Sequence, residues 1–314
     1  MEFTIAHETT YFYDAPVNES YTVVHLQPRS DPQQFCTRYD LRLTPHAKVH
    51  RYTDRFGNDV QHFAILPAHR ALSVTAHSSV VTLLPSDPPE PLEATRALLD
   101  ADPMVDEFYD FVHESAYVQF TPELAEFLWE LDGPGQQIGA WCTRVSRRIH
   151  ESFTYDKDAT TVRTTVREAL LARAGVCQDY AHVMCAVLRS AAIPARYVSG
   201  YIFNGNSNVL GAEASHAWVE AYLPPYGWVG FDPTNNLMIN EHFVKIAIGR
   251  DYRDVSPVRG VYRGTGQSEM SVNVAMEALA TAQQAPLVET PDIEAYDARL
   301  RQQQMQQQQA GGAN

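Results

Sequence analysis

The sequence predicts an α+β protein: an N-terminal antiparallel β-sandwich followed by a core that mixes helices with antiparallel strands. Three observations carry this expectation. Residues 1 to about 85 are dense in β-branched and aromatic side chains broken by Pro and Gly. From residue 92 the apolar positions fall three and four apart, the helical period. Residues 164–235 then place two helical stretches ahead of a run of strands, the order of an α+β domain.

Taken in chain order, strands are expected at 3–13, 19–28, 35–45, 62–67 and 72–85, with Asp54 to Asp59 as a tight turn. Residues 85–91, PSDPPEP, read as a linker because four prolines in seven residues suit neither helix nor sheet. Helices are expected over Leu92–Leu99, Met104–Val118, Pro122–Leu131 and Gln136–Phe153, then Thr165–Ala172 and Cys177–Ala192. Strands follow near Ala195–Phe203, Ser215–Leu223 and Trp228–Asp232. The domain boundaries this implies are 1–85 for the sandwich, 86–266 for the core (helical 92–155, mixed 164–235) and 267–314 for a disordered Gln-rich tail, whose last residues RQQQMQQQQAGGAN offer no apolar face.

The chain has 314 residues, a length suited to about two domains, and 45% hydrophobic residues, well above the disordered range. Its formal charge of −14, without a dense Lys/Arg run, argues against nucleic acid or anionic membrane as a partner. The opening MEFTIAHETTYFYDAP lacks a basic, apolar leader, so a cytoplasmic location is the default expectation. Four cysteines, Cys36, Cys142, Cys177 and Cys185, are too few for a disulfide scaffold and form no C-x-x-C pair; each is a core filler or a nucleophile. Twelve histidines show no H-E-x-x-H spacing, so neither a metal nor another cofactor is expected.

The chemistry gathers in three segments. In Arg173-Ala174-Gly175-Val176-Cys177, the glycine permits the turn that starts the next helix and leaves Cys177 in its first turn. A thiol there meets the positive end of the helix dipole, which favours the nucleophilic thiolate. Residues 214–222 and 227–234 read as a hairpin turning at Pro224-Pro225-Tyr226-Gly227. His216 and Asp232 average to position 224, inside the turn, which sets them nearly side by side on one face. A helix carrying Cys177 and packed against that face would complete a Cys/His/Asp set: His216 takes the thiol proton and returns it to the leaving amine, while Asp232 fixes the imidazole.

GVCQDYAHVMCAVLRSAAIPARYVSGY, ASHAWVEAYLPPYGWVGFDPTNN and GRDYRDVSPVRGVYRGTG together resemble the bacterial transglutaminase-like family, a branch of the papain-like cysteine proteinase superfamily. The N-terminal strands resemble the β-domain that precedes the catalytic core in that family. The resemblance implies a papain-like core with Cys177 as nucleophile, His216 as general base and Asp232 as orienting acid. Acyl transfer also needs an oxyanion hole; the Cys177 backbone N–H and the Tyr155 hydroxyl are the candidate donors, with a core role for Tyr155 as the alternative. Trp218 and Trp228 flank the set and either wall the cleft or pack in the core. His182, five residues after Cys177, points away from the thiol, and Asp179 in the first turn suits the helix N-terminus.

The expected function is cysteine-dependent chemistry on a protein, peptide or other amide substrate through a thioester, with hydrolysis favoured. Transfer to an amine, as in a transglutaminase, is the alternative, and a non-catalytic peptide-binding module is the reading from another class. The N-terminal sandwich is either an interaction domain or a shield for the core.

Overall fold

The computed structural model describes residues 1–85, 92–129, 131–205, 209–211 and 215–279, so the linker over 86–91 and the Gln-rich end beyond 279 lie outside the described residues. Met1–Leu279 forms one compact unit.

The N-terminal half holds β1 (Glu2–Val24), β2 (Gln34–Thr44), β3 (His50–Thr53), β4 (Asp59–Ile65) and β5 (His69–Thr82). The two strands expected at 3–13 and 19–28 are one continuous strand. Its register against β5 breaks between Phe12 and Val17, around Asp14-Ala15-Pro16, and there it leaves one set of neighbours for another. The first half of β1 pairs with β5 and the second with β4, in the order β2-β5-β1-β4-β3. The sandwich is thus one curled antiparallel sheet closed over its own core of Tyr13, Val17, Val24, Leu26, Phe63, Leu72 and Val74.

The second half runs α1 (Arg96–Ala101), a 3₁₀ segment (Pro103–Phe111), α2 (Pro122–Trp129), α3 (Ile138–Ser152), β6 (Thr154–Tyr155), α4 (Val166–Ala172), β7 (Ala174–Gly175), α5 (Cys177–Ser190), β8 (Ala195–Ile202), β9 (His216–Tyr222), β10 (Trp228–Asp232), β11 (Leu237–Met238), β12 (Phe243–Gly249), α6 (Tyr252–Val255), β13 (Val258–Arg263) and β14 (Ser268–Ala278). The helix expected over 104–118 stops at Phe111. Beyond it the backbone bonds elsewhere: His113 C=O accepts from Arg189, Tyr117 N–H donates to Asp251, and Tyr117 C=O accepts from Val166 N–H.

A five-stranded antiparallel sheet, β11-β10-β9-β8-β12, carries α5 on one face. Every residue of α5 from Cys177 to Arg189 is buried, and its apolar side chains meet Ala217, Val219 and Ala221 of β9. Such burial requires its cation to be satisfied: the Arg189 guanidinium donates to the carbonyls of Ala195, His113 and Arg250 at 2.9, 3.2 and 2.6 Å. The other sheet face buries Trp218, Val198, Ile239, Phe243 and Ile248. There Glu220 sits between Lys245 (2.7 Å) and Arg196 (Nε at 2.7 Å), and Lys245 also reaches Asp31 of the N-terminal half at 3.0 Å. Burial pushes the Glu220 carboxyl up, but the two cations outweigh it and hold the group at about 2.

The tail boundary at 266 is corrected by β14. Residues 268–278 pair with β1 over Phe3↔Ala278 to Tyr13↔Ser268, and β13 pairs with the second half of β1. The N-terminal sheet is therefore completed by strands from the far end of the described chain. The inward series Phe3, Ile5, His7 and Thr9 on β1, all buried, faces the same way as Met276, Val274 and Val272 opposite them. Phe3 and Ile5 join the core that holds α5, and no helix among the described residues is long and apolar enough to cross a membrane.

Candidate active site

Helix α4 closes on Arg173 in the left-handed conformation at φ 49°, so this residue, rather than Gly175, is its cap. The chain then makes the parallel bridge of β7 to β6 and enters α5 at Cys177. Asp179, in the first turn, accepts Val176 N–H at 2.8 Å and the Thr160 hydroxyl at 2.6 Å. It caps the helix that presents the thiol. A Cβ on Gly175 would run into the Asp179 carboxylate, so the glycine is needed for that close approach.

His216 opens β9 and Asp232 closes β10. The hairpin pairs Trp228 with Tyr222 and Phe231 with Val219, centring on 225 instead of 224. His216 and Asp232 are consequently offset by two residues along the sheet, not directly opposite, yet they keep the same face because parity is unchanged. The helix also packs on the other face from the one expected: Ala217 and Val219 meet α5, whereas His216 and Asp232 lie on the Trp218 side. Cys177 and His216 meet because each is the first residue of its element, at one end of the sheet.

The imidazole Nε2 lies 2.8 Å from Asp232 Oδ2, with both side chains fully buried. Asp232 Oδ1 accepts the backbone N–H of Thr234 (2.9 Å) and of Asn235 (3.3 Å), and Oδ2 accepts Asn235 Nδ2 at 2.8 Å. Burial disfavours the carboxylate, but His216 and these donors overcome it and keep Asp232 below its ordinary range. Burial likewise pulls His216 down, while the charge of Asp232, its hydrogen bond and Cys177 raise it to about 10. The imidazole Nδ1 has no hydrogen-bond partner among the described residues, and Cys177, on the same cavity wall, is among the groups that raise the ring. Gly211, at φ +84°, backs on to this edge so closely that a Cβ would lie 2.5 Å from Nδ1.

A cavity of about 220 Å³ opens beside Cys177 and His216. Its wall is built from both halves of the protein: His7 and Thr9 of β1, Met270 and Val272 of β14, and Gln178, Tyr197, Ser199 and Tyr252 of the core. Gln178 Nε2 is buried without a partner on this wall, one residue after the thiol. Three sequence expectations are corrected here. Tyr155 packs against the core and Tyr180, at a ring distance of 6.5 Å, and does not line the cavity. Trp218 is buried against Phe243 on the far sheet face, and Trp228 packs on Phe108, Tyr222 and Arg196 well along β10 from Asp232. His182, by contrast, is structural as expected: buried on α5, its Nε2 accepts Tyr252 N–H at 3.1 Å. Reasoning from the sequence missed Asn235, Gln178 and the β1 and β14 residues. Asn235 had a local signal, since it lies in the DPTNN run beside Asp232.

The descriptions of two family models match this chain. The transglutaminase-like superfamily core matches residues 133–233, which include Cys177, His216 and Asp232, and the bacterial transglutaminase-like N-terminal region matches residues 3–81. An uncharacterized protein of Mycobacterium leprae is 32% identical over 282 residues, 88% of this chain and 98% of that protein. The chain belongs to the transglutaminase-like superfamily. A solved structure from Cytophaga hutchinsonii, a candidate cysteine protease, is similar with a TM-score of 0.72 and 25% identity over 90% of this chain and 92% of that one. A shorter likeness, 41% identity over 97 residues, relates 29% of this chain to 14% of a protein-glutamine gamma-glutamyltransferase of Pseudomonas aeruginosa. The fold is accordingly papain-like in its core, and the family's chemistry is cysteine-based.

Proposed function

We propose that this protein is a cysteine enzyme that cleaves an amide bond in a peptide, isopeptide or related substrate. The observation that carries the reading is the buried His216–Asp232 pair, with the second imidazole nitrogen unpartnered among the described residues and Cys177 on the same cavity wall. In the reaction, Cys177 Sγ attacks the amide carbon while His216 holds the thiol proton, and the carbonyl π pair moves on to oxygen. The Cys177 N–H, in the first turn of α5 where N–H groups lack an intrahelical acceptor, and Gln178 Nε2, unpartnered among the described residues, are the donors that support the oxyanion, in place of Tyr155. Collapse of the intermediate breaks the C–N bond, and His216 passes its proton to the leaving amine. Water, deprotonated by His216, then attacks the thioester and releases acid and free thiol.

Hydrolysis is favoured over transfer because the full-length likeness is to a candidate protease, whereas the likeness to the glutamyltransferase spans a small share of either chain. Intact-mass analysis during turnover of N-acyl amino-acid p-nitroanilides tests this. The expected result is an acyl adduct on Cys177 that decays with release of acid, and none in Cys177→Ala. Capture of the acyl group by an added alkylamine in preference to water would establish transfer. No acylation with any of the substrates, alongside saturable binding of the same peptides, would overturn the enzyme reading in favour of a binding module.

A further inference from the structure

The cavity wall contributed by β1 contains a polar series that the chemistry above does not use. Tyr201 of β8 and His7 and Thr9 of β1 are all buried. The Tyr201 hydroxyl lies 2.8 Å from His7 Nδ1, and His7 Nε2 lies 2.9 Å from Thr9 Oγ1. We propose that this series fixes the Thr9 hydroxyl as a hydrogen-bond donor in the Cys177 cleft, binding the carbonyl oxygen of an uncharged amide segment of the substrate.

The direction of donation follows from the buried protons. The Tyr201 hydroxyl has no other partner among the described residues, and a buried O–H without an acceptor forfeits the hydrogen bond it made with water. It therefore donates to His7 Nδ1, which puts the ring proton on Nε2 and directs that proton to Thr9 Oγ1. The ring stays neutral because burial lowers His7 to about 4. Thr9 Oγ1 thus accepts from inside the protein, and its own proton has no acceptor among the described residues. His7 and Thr9 both line the cavity that contains Cys177 and His216, so the free proton is the series' outlet to a ligand, and that ligand is an acceptor.

The rest of the wall selects what bears the carbonyl. Among the described residues no Asp, Glu, Lys or Arg lines the cavity, and Val162, Val258, Met270 and Val272 supply apolar surface. Beyond the His216 ring, whose charge is already matched by Asp232, the described wall offers a charged group no counter-ion, whereas a neutral amide with a small apolar side chain keeps its hydrogen bond and loses no solvated charge. The N-terminal sheet is then half of the substrate site, and His7 and Tyr201 are positioning residues acting through Thr9.

The proposal rests on the amide reading, and the test separates the two. On the full chain, Cys177 alkylation is timed with N-acetyl-alanine chloromethyl ketone, which presents carbonyl groups, and with iodomethane, which has none and reports the thiol alone. Thr9→Val should lower the ratio of the two rates about tenfold, and Thr9→Ser should hold it within about twofold of wild type. Nitrogen-15 spectra should show His7 protonated on Nε2 and bare on Nδ1. An unchanged ratio in Thr9→Val, a Thr9→Ser loss as large, or the opposite His7 tautomer would overturn the proposal. If wild-type Cys177 reacts with iodomethane no faster than Cys36, the amide reading itself fails and the proposal falls with it.

Discussion

Asp232→Asn replaces the buried carboxylate with an amide of the same shape. His216 is held at about 10 in the presence of Asp232, against an ordinary value of 6.5. At about 1.4 kcal/mol per unit, that displacement corresponds to roughly 5 kcal/mol of preference for the imidazolium. Because the value is raised, the stabilisation is fully present below pH 6.5 and is lost as the pH climbs towards 10. With the carboxylate gone, burial becomes the strongest influence on the ring and drives it below 6.5. The sign of the pH dependence then inverts: the variant holds a neutral imidazole and loses stability on acidification. The assay is nitrogen-15 NMR of histidine-labelled protein from pH 5 to 9. The expected result is imidazolium shifts for His216 at pH 7.5 in the wild type and neutral-ring shifts in Asp232→Asn. A neutral His216 in the wild type at pH 7.5, or an imidazolium that survives the substitution, would refute the reasoning.

Glu220→Gln removes the anion between Arg196 and Lys245, leaving the buried lysine and the partly buried arginine without it; denaturant unfolding should show a loss of about 3 kcal/mol. Because Glu220 is depressed to about 2, its contribution is present above pH 4.5 and fades as the pH falls towards 2, so wild type and variant should converge in acid. Truncation after Gln267 removes β14 from its pairing with β1 and takes Met270 and Val272 from the cleft, so it should melt several degrees lower than truncation after Leu279. Limiting iodoacetamide near neutral pH should label Cys177 first by peptide mapping. Burial pushes the Cys142 and Cys185 thiols up to about 12 and 11, and Cys36 is also raised.

Local signals in the sequence were enough to single out the three candidate residues. Cys177 follows a Gly-Val turn at the head of an amphipathic stretch, and His216 and Asp232 share a hairpin face by parity alone. A strand's period of two survives a one-residue error in the turn centre, because moving that centre shifts the pairing sum by two. The same period was legible in Met270, Val272, Val274, Met276 and Ala278, but the Gln-rich residues that follow obscured it and β14 was read as tail.

What the sequence by itself determined was therefore a candidate set and its setting: a thiol at a helix start, an imidazole and a carboxylate on paired strands, and a β-rich half ahead of them. Only the tertiary structure decided which sheet face α5 covers, because alternation separates two faces without naming their neighbours. It also decided that Tyr155, Trp218 and Trp228 turn to packing while Asn235, Gln178, His7 and Thr9 gather at the site. These last contacts join residues up to 194 positions apart, as in Tyr201 to His7. Long-range pairing of that kind depends on how β1 curls and on which strands close its edges, and no local pattern encodes it.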